Sequence, residues 1–369
     1  MQDGQRICLN MIVKNEAPII RRCLESVRSI VDYWVIVDTG STDNTMEIIR
    51  EVLKDVPGEL HEHPWVDFAH NRTQALQFAL RGPDGGQPCD YTLVMDADHV
   101  AGLAPGFVMP RLDADAYLIE LRDEGIVYYS KRLVRNNLPW RYVGVLHEHV
   151  ICADARSEGV LDGLYQIRMH DGARSRDPLT FRRDALVLEK ALIDEPDNSR
   201  YVFYLAQSYC DAGDPEQALL YYRKRVEMAG WTEEIWISLY QIAKIKHSMR
   251  KPWGEVLQDY LAAYQYQADR AESLFHVGMH YQTNREFHLA HLFLDRALQL
   301  PFPSGNRLFV EKALYDYLIA LECAVSCYWL GRHAEAIAIN DRLLSQGSLP
   351  PQLVDHVRKN RQFSVDIVG

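Results

Sequence analysis

Asp96 and Asp98 are the residues best placed to do chemistry. They end the run Tyr91-Thr92-Leu93-Val94-Met95-Asp96-Ala97-Asp98-His99. In an extended chain, side chains at i and i+2 point the same way. An apolar strand would therefore present both carboxylates to one site at its C-terminal edge. Paired carboxylates there suit a hard divalent cation that keeps several waters and bridges phosphates. A second polar turn, Asp38-Thr39-Gly40-Ser41-Thr42-Asp43, follows another apolar strand. Asp38 at that strand end can accept hydrogen bonds from a base or ribose. Gly40 permits a tight turn, while Ser41, Thr42 and Asp43 can cap the helix that follows. A third cluster, Lys14-Asn15-Glu16, closes the first strand. Together these point toward an enzyme that handles a sugar nucleotide, with Asn15, Glu16, Asp38, Ser41 and Asp43 among the nucleotide-side contacts.

Two further segments carry titratable groups. Trp65-Val66-Asp67-Phe68-Ala69-His70-Asn71-Arg72 opens a helix with Asp67 as its N-cap. Arg72, one turn in, would reach a pyrophosphate or pair with Asp96 or Asp98. In Gly144-Val145-Leu146-His147-Glu148-His149, Glu148 is the candidate general base for an attacking hydroxyl or thiol. His147 and His149 would position it or touch the metal. His170, within Met169-His170-Asp171-Gly172, is placed to complete the cation site that Asp98 starts.

The elements that must hold these residues read as β-α-β-α. Ile7–Val13 is an apolar run broken only by Asn10, as in a buried parallel strand. Ala17–Val31 has helical spacing, Trp34–Val37 is a second buried strand, and Asn44–Leu53 is a second helix. Such alternation predicts an α/β layer fold whose ligands gather at the C-terminal strand ends. Near Pro178 the pattern turns helical, Tyr-rich and periodic. Small residues recur close to the roughly 34-residue tetratricopeptide spacing: Ala206, Gly213 and Ala218, then Gly278, Ala290 and Ala297, then Ala324, Gly331 and Ala336. An irregular unit around Trp236 and Ala263 fills the gap. The predicted domains are 1–176, α/β, and 177–369, a helical repeat array.

Composition narrows the partners. The 369 residues, 47% hydrophobic, supply ample core, and a net charge of −11 argues against nucleic acid as the main partner. Lys131, Arg132 and Arg135 are the nearest approach to a local basic patch. The seven cysteines have no framework spacing, which fits a reducing compartment. Cys323 and Cys327, at i and i+4 on a predicted helix, read as core packing rather than metal ligands. Trp231, Trp236, Trp253 and Trp329 likewise read as packing residues before acceptor-groove residues. No apolar run reaches the ~18 residues of a transmembrane helix, and the N-terminus lacks a signal-peptide profile, so a cytoplasmic protein is expected.

These segments together resemble a family-2 glycosyltransferase of the GT-A fold, over roughly residues 5 to 175. The resemblance rests on Leu9 to Glu16, on Val37 to Thr45, on Trp65 to Arg72, on Asp96-Ala97-Asp98 and on Gly144 to Glu148. A transferase joined to helical repeats is similar to the bacterial subgroup that includes peptide S-glycosyltransferases. The resemblance implies inverting transfer from a nucleoside-diphosphate sugar, with a UDP-sugar the expected donor and Mn²⁺ or Mg²⁺ as cofactor. It implies Asp38 on the nucleobase, Asp96 on ribose and metal, and Asp98 on the metal between the phosphates. Glu148 as base and His170 as a late metal ligand match by order along the chain. The subgroup often has Arg-Asn after the Phe-Ala pair, whereas this chain has Asn71-Arg72. A peptide, protein or glycan acceptor is expected, with the repeats supplying one wall of its cleft and a homodimer left open. The rival readings are a non-catalytic repeat scaffold with a degenerate transferase domain, and a nucleotidyltransferase. The latter wants a Gly-rich basic loop that Lys14-Asn15-Glu16 does not provide.

Overall fold

The computed structural model describes residues 4–82, 89–347 and 349–369. Two compact units emerge from its internal packing: residues 1–124 with 128–214, and residues 125–127 with 215–369.

The first unit is built on a mixed sheet. In chain order its elements are β1 (Ile7–Val13), α1 (Ile20–Val27), β2 (Tyr33–Asp38), α2 (Thr45–Val52), β3 (Gly58–Glu62), α3 (Phe68–Arg81) and β4 (Tyr91–Val94). Then come β5 (His99–Leu103), β6 (Ala116–Asp123), β7 (Ile126–Arg135), β8 (Arg141–Val143), β9 (His149–Ile151) and β10 (Glu158–Arg168), followed by α4 (Thr180–Asp194) and α5 (Ser199–Asp211). The sheet order is β3-β2-β1-β4-β7-β6-β10-β5. β3, β2, β1 and β4 run parallel, and β4 pairs antiparallel with β7. This is the layered α/β fold the alternation predicts, with mixed pairing on the far side of β4.

The parallel half is buried on both faces. Ile7, Leu9, Ile20, Leu24, Val27 and Ile36 are all fully buried in one cluster. Asn10 sits inside β1 because its Nδ2 donates to Val35 O at 3.2 Å and Ala75 O at 2.9 Å, so the buried amide is not orphaned. Registers Val13↔Asp38 and Asn10↔Val94 bring the ends of β1, β2 and β4 to one edge. The helix predicted over Ala17–Val31 is shorter, Ile20–Val27, with a 3₁₀ turn over Arg28–Ile30. The three-residue basic patch does not form. Lys131 pairs with Glu158 at 3.1 Å, Arg132 with Asp96 at 3.0 Å, and Arg135 with Asp115 at 3.6 Å.

The second unit is helical: α6 (Pro215–Glu227), α7 (Thr232–Ser248), α8 (Trp253–Tyr266), α9 (Glu272–Thr283), α10 (Phe287–Leu298), α11 (Ile319–Trp329), α12 (His333–Ser345) and α13 (Pro351–Val368). Each packs on the next, so α7–α8, α9–α10 and α11–α12 form successive helix hairpins of the tetratricopeptide kind. The small residues work as their spacing predicts: a Cβ added at Gly278 on α9 would stand 2.6 Å from Leu294 Cγ on α10. A π-turn over Leu314–Leu318 leads into α11 and makes this hairpin irregular. Trp236 is fully buried, with the Arg270 guanidinium 3.8 Å from its ring centroid. Trp329 departs from the packing expectation: it is 60% exposed, stacked on Phe287. No helix among the described residues is long and apolar enough to cross a membrane.

Candidate active site

The loops after β1 and β2 are laced together. Asn15 adopts φ 56°, and its Oδ1 accepts from Thr42 N at 2.7 Å while its own N–H donates to Ser41 Oγ at 2.9 Å. Glu16 N donates to Thr45 Oγ1, and Ala17 N to Asp43 Oδ2 at 3.2 Å. Asp43 also accepts from Thr45 N and Oγ1. Burial would raise its carboxyl, but those donors hold it below the usual range. Asp43 therefore organises the loop through these three donors. Ser41 accepts within the loop and retains its own hydroxyl proton as a donor.

Asp38 differs. Its Oδ1 accepts from Gly40 N at 2.8 Å and Ser41 N at 2.7 Å, while Oδ2 is buried with no partner. Gly40 has φ 105° and nothing within 4 Å of where a Cβ would stand, so space lies open over the turn. An unmet buried acceptor costs about 1–3 kcal/mol, which a donor from a bound molecule would relieve. Glu16 accepts from Ala173 N at 3.1 Å. Burial pushes its carboxyl up to about 7, the Ala173 amide opposes this, and Asp98 adds to it.

Arg72 is the centre of the site. Asp67 caps α3 by accepting from His70 N at 2.7 Å. Asn71, fully buried, ties down the preceding segment: its Oδ1 accepts from Val66 N at 2.9 Å and its Nδ2 donates to Pro64 O at 3.0 Å. With Asn71 turned to the loop, Arg72 faces the sheet edge. Its Nη2 donates to Asp96 Oδ1 and its Nε to Glu148 Oε1, both at 2.5 Å. Arg132 reaches the other oxygen of Asp96 at 3.0 Å. Burial alone would raise the Asp96 carboxyl, but Arg72 and then Arg132 hold it well below the usual carboxylate range. Arg72, Lys131, Arg132, Tyr142, Glu148 and His149 line a cavity of about 70 Å³.

Asp98 has looser company. His99 Nε2 and Arg168 Nε each lie 3.9 Å from it. His99 is itself buried, with Nδ1 2.9 Å from Gln166 Oε1, and its Nε2 is 3.9 Å from Asp96 as well. His170 is not gathered with the two aspartates. It sits at φ 54°, and its Nε2 is hydrogen-bonded to Asp123, which also takes Arg168 Nη1 at 3.4 Å. His147 is also turned aside, its ring stacked on Tyr204 at 3.8 Å and its carbonyl accepting from Arg200. Arg132, His99, Arg168 and Asp123 were not identifiable as site residues from the sequence. Only the alternation of β7, which puts Arg132 on one face with Ser130, carried any hint.

Strand-end loops with an unmet buried acceptor and a carboxylate pair beside guanidiniums gather at the C-terminal sheet edge, where α/β layer folds collect their ligands. Residues 8–102 match the family described as Glycosyl transferase family 2. Over those residues the N-terminal unit is similar to family-2 glycosyl transferases. Two curated relatives agree with the two-part organisation. A TPR repeat-containing protein of Synechococcus elongatus is 34% identical over 154 residues, 39% of this chain and 35% of the relative. The SPbeta prophage-derived glycosyltransferase SunS of Bacillus subtilis is 23% identical over 241 residues, 61% of this chain and 54% of the relative. The chain thus spans between a third and just over half the length of these relatives. Among solved structures, a crystal structure of MamA superposes with a TM-score of 0.35 at 16% identity, covering 45% of this chain and 88% of that one. That likeness is too loose to argue from.

Proposed function

We propose that the protein is a metal-dependent, inverting glycosyltransferase that moves a sugar from a nucleoside-diphosphate sugar, by preference a UDP-sugar, to a peptide, protein or glycan acceptor bound in part by the helical repeats. The observation that carries this reading is Arg72, which joins the first carboxylate of the Asp96/Asp98 pair to the candidate base Glu148 in one ion-pair cluster. A scaffold has no use for a buried charge network beside a cavity, since such networks are costly unless every member is paired.

In this reading Asp38 Oδ2 accepts from the base or ribose, and Ser41 donates its hydroxyl. Asn15, Glu16 and Asp43 shape the donor loop. The fit of a divalent cation rests on the donor set. Asp96 is already neutralised by two guanidiniums, whereas the ion-pair contacts of Asp98 among the described residues are at 3.9 Å. Asp98 is therefore the carboxylate that would hold Mn²⁺ or Mg²⁺, an ion content with one or two carboxylates and several waters. His170 would join only by leaving Asp123. The cation supplies positive charge to the departing diphosphate. The acceptor oxygen or sulfur attacks the anomeric carbon, the bond from that carbon to the diphosphate oxygen breaks, and the acceptor proton passes to Glu148. Arg72 positions Glu148 and sets its distance from Asp96.

Calorimetric titration of UDP and GDP, with and without Mn²⁺, into wild type, Asp98→Asn and Glu148→Gln tests this. Metal-dependent binding of one nucleotide is expected in wild type, lost in Asp98→Asn. Glu148→Gln should abolish transfer with nucleotide affinity nearly unchanged. Absence of nucleotide binding in wild type would favour the scaffold, and loss of binding in Glu148→Gln would remove that residue from the role of base.

A further inference from the structure

The helical unit holds a second constellation, one that the transferase reading does not use. Cys323 and Cys327 lie one turn apart on α11, both fully buried. His291, from the middle of α10, directs Nδ1 at both sulfurs, 3.9 Å from Cys323 Sγ and 3.7 Å from Cys327 Sγ. One ligand atom from each of the three residues lies within 4.8 Å of the other two. A tetrahedral zinc site with Zn–S of about 2.3 Å and Zn–N of about 2.0–2.1 Å has an N-to-S edge of about 3.6 Å. The two measured edges are within a few tenths of an ångström of that value.

We infer that His291, Cys323 and Cys327 form a binding site for a thiophilic d¹⁰ cation of the zinc class, bridging α10 and α11. The sequence reading of the two cysteines as simple core packing accounts for their burial. It does not account for an imidazole nitrogen from another helix set at coordination distance from both. Two thiolates and a neutral imidazole would leave a Zn²⁺ site with no net charge, which suits its buried position. Loading converts two thiols to thiolates and releases two protons.

The surroundings fit the second requirement of a zinc-bound histidine, a partner for its other nitrogen. Without metal, Arg332 donates to His291 Nε2, since a guanidinium has no acceptor, so Nδ1 carries the proton. Metal at Nδ1 moves that proton to Nε2. Asp295 and Glu335 stand ready to receive it, each with an oxygen within 4.8 Å of the imidazole. Arg332 already holds Glu335 at 2.7 Å and can keep that pairing when it leaves the imidazole. The Ser326 hydroxyl, 3.4 Å from Nδ1, donates to Cys323 O at 2.8 Å. His291 is only partly buried, which leaves a path for the ion.

The test uses the full chain, stripped with EDTA and kept reduced, titrated with Co²⁺ as a coloured stand-in for Zn²⁺. One equivalent should develop a near-ultraviolet thiolate-to-cobalt band and tetrahedral visible bands, both bleached by Zn²⁺. Cys323→Ser and Cys327→Ser should each lose the near-ultraviolet band, and Cys8→Ser should keep it. Absence of the band in wild type, or its survival in the Cys323→Ser/Cys327→Ser double variant, overturns the site. If a variant loses its helical circular dichroism, alkylation of the wild type decides. Labelling of Cys323 and Cys327 about tenfold slower with Zn²⁺ at about ten times its Kd supports the site, and equal rates with and without Zn²⁺ refute it.

Discussion

Replacing Arg72 with methionine tests the central ion-pair cluster. The side chain of Arg72 is 13% exposed, and those of Asp96 and Glu148 are 21% and 10% exposed. Methionine keeps much of the volume and removes the charge. Asp96 would retain Arg132 at 3.0 Å, so its loss is partial. Glu148 would lose the guanidinium that its Oε1 accepts from. Breaking a buried pair by removing one member costs about 3–5 kcal/mol. Residual water access and the surviving Arg132 place this case at the lower end, about 3 kcal/mol. The double variant Arg72→Met/Glu148→Gln removes the stranded carboxylate charge too. It should recover about 1–2 kcal/mol relative to the sum of the single changes. Hydrogen exchange monitored by mass spectrometry on peptides covering α3 and β4 reads the loss locally within the first unit. A cost below about 1 kcal/mol for Arg72→Met, or strict additivity in the cycle, would refute the view that Arg72 holds these carboxylates together.

Two further predictions concern the helical unit. Gly278→Ala gains up to about 1 kcal/mol of helix propensity, but its Cβ meets Leu294 Cγ at 2.6 Å and Cδ2 at 2.9 Å. Overpacking of about 1–3 kcal/mol should win, so urea unfolding is expected to show a net loss, and a gain in midpoint would contradict the tight α9–α10 approach. His276 has its Nε2 buried without a partner, and burial lowers its pKa to about 4, with Glu311 opposing and Lys244 and His247 assisting. Because the unfolded chain binds this proton near pH 6.5, stability is complete above that value. It then falls as pH drops from about 6.5 to about 4, by on the order of 3 kcal/mol. His276→Phe, which keeps the stacking on Tyr260, should flatten thermal stability across that window; an unchanged slope would assign the acid sensitivity elsewhere.

Much of the fold was legible because local chemistry and tertiary role agree. Ile7–Val13 is an apolar run broken only by Asn10 and is the strand β1, with the same bounds. Asp67 before an apolar helix start is the N-cap it promised to be. The buried alanines and Gly278 at repeat spacing mark where helices touch, since only small residues allow that approach, whereas Gly213 and Gly331 serve turns at φ 77° and 71°. The two aspartates come together differently from the strand expectation: β4 ends at Val94, and Asp96 and Asp98 lie in a turn closed by His99 N donating to Asp96 O at 3.0 Å, with His99 Nε2 3.9 Å from each carboxylate.

What only the tertiary structure decided is which charges meet. Arg132 reads as part of a basic triplet, yet the pairing of β7 with β4 delivers it to Asp96. Asn71-Arg72 looks like a reversed motif, but the buried Asn71 amide is spent on Val66 and Pro64, and this turns Arg72 inward. His170 follows Asp98 in order along the chain, yet Asp123 captures its imidazole. Cys323 and Cys327 look like a packing pair until α10 sets His291 against them. Spacing along one chain segment fixes which way its own side chains point, because backbone geometry is local. It says nothing of the partner brought from a hundred residues away, and that partner determines whether a carboxylate, an imidazole or a thiol is paired, held in reserve or ready to bind a metal.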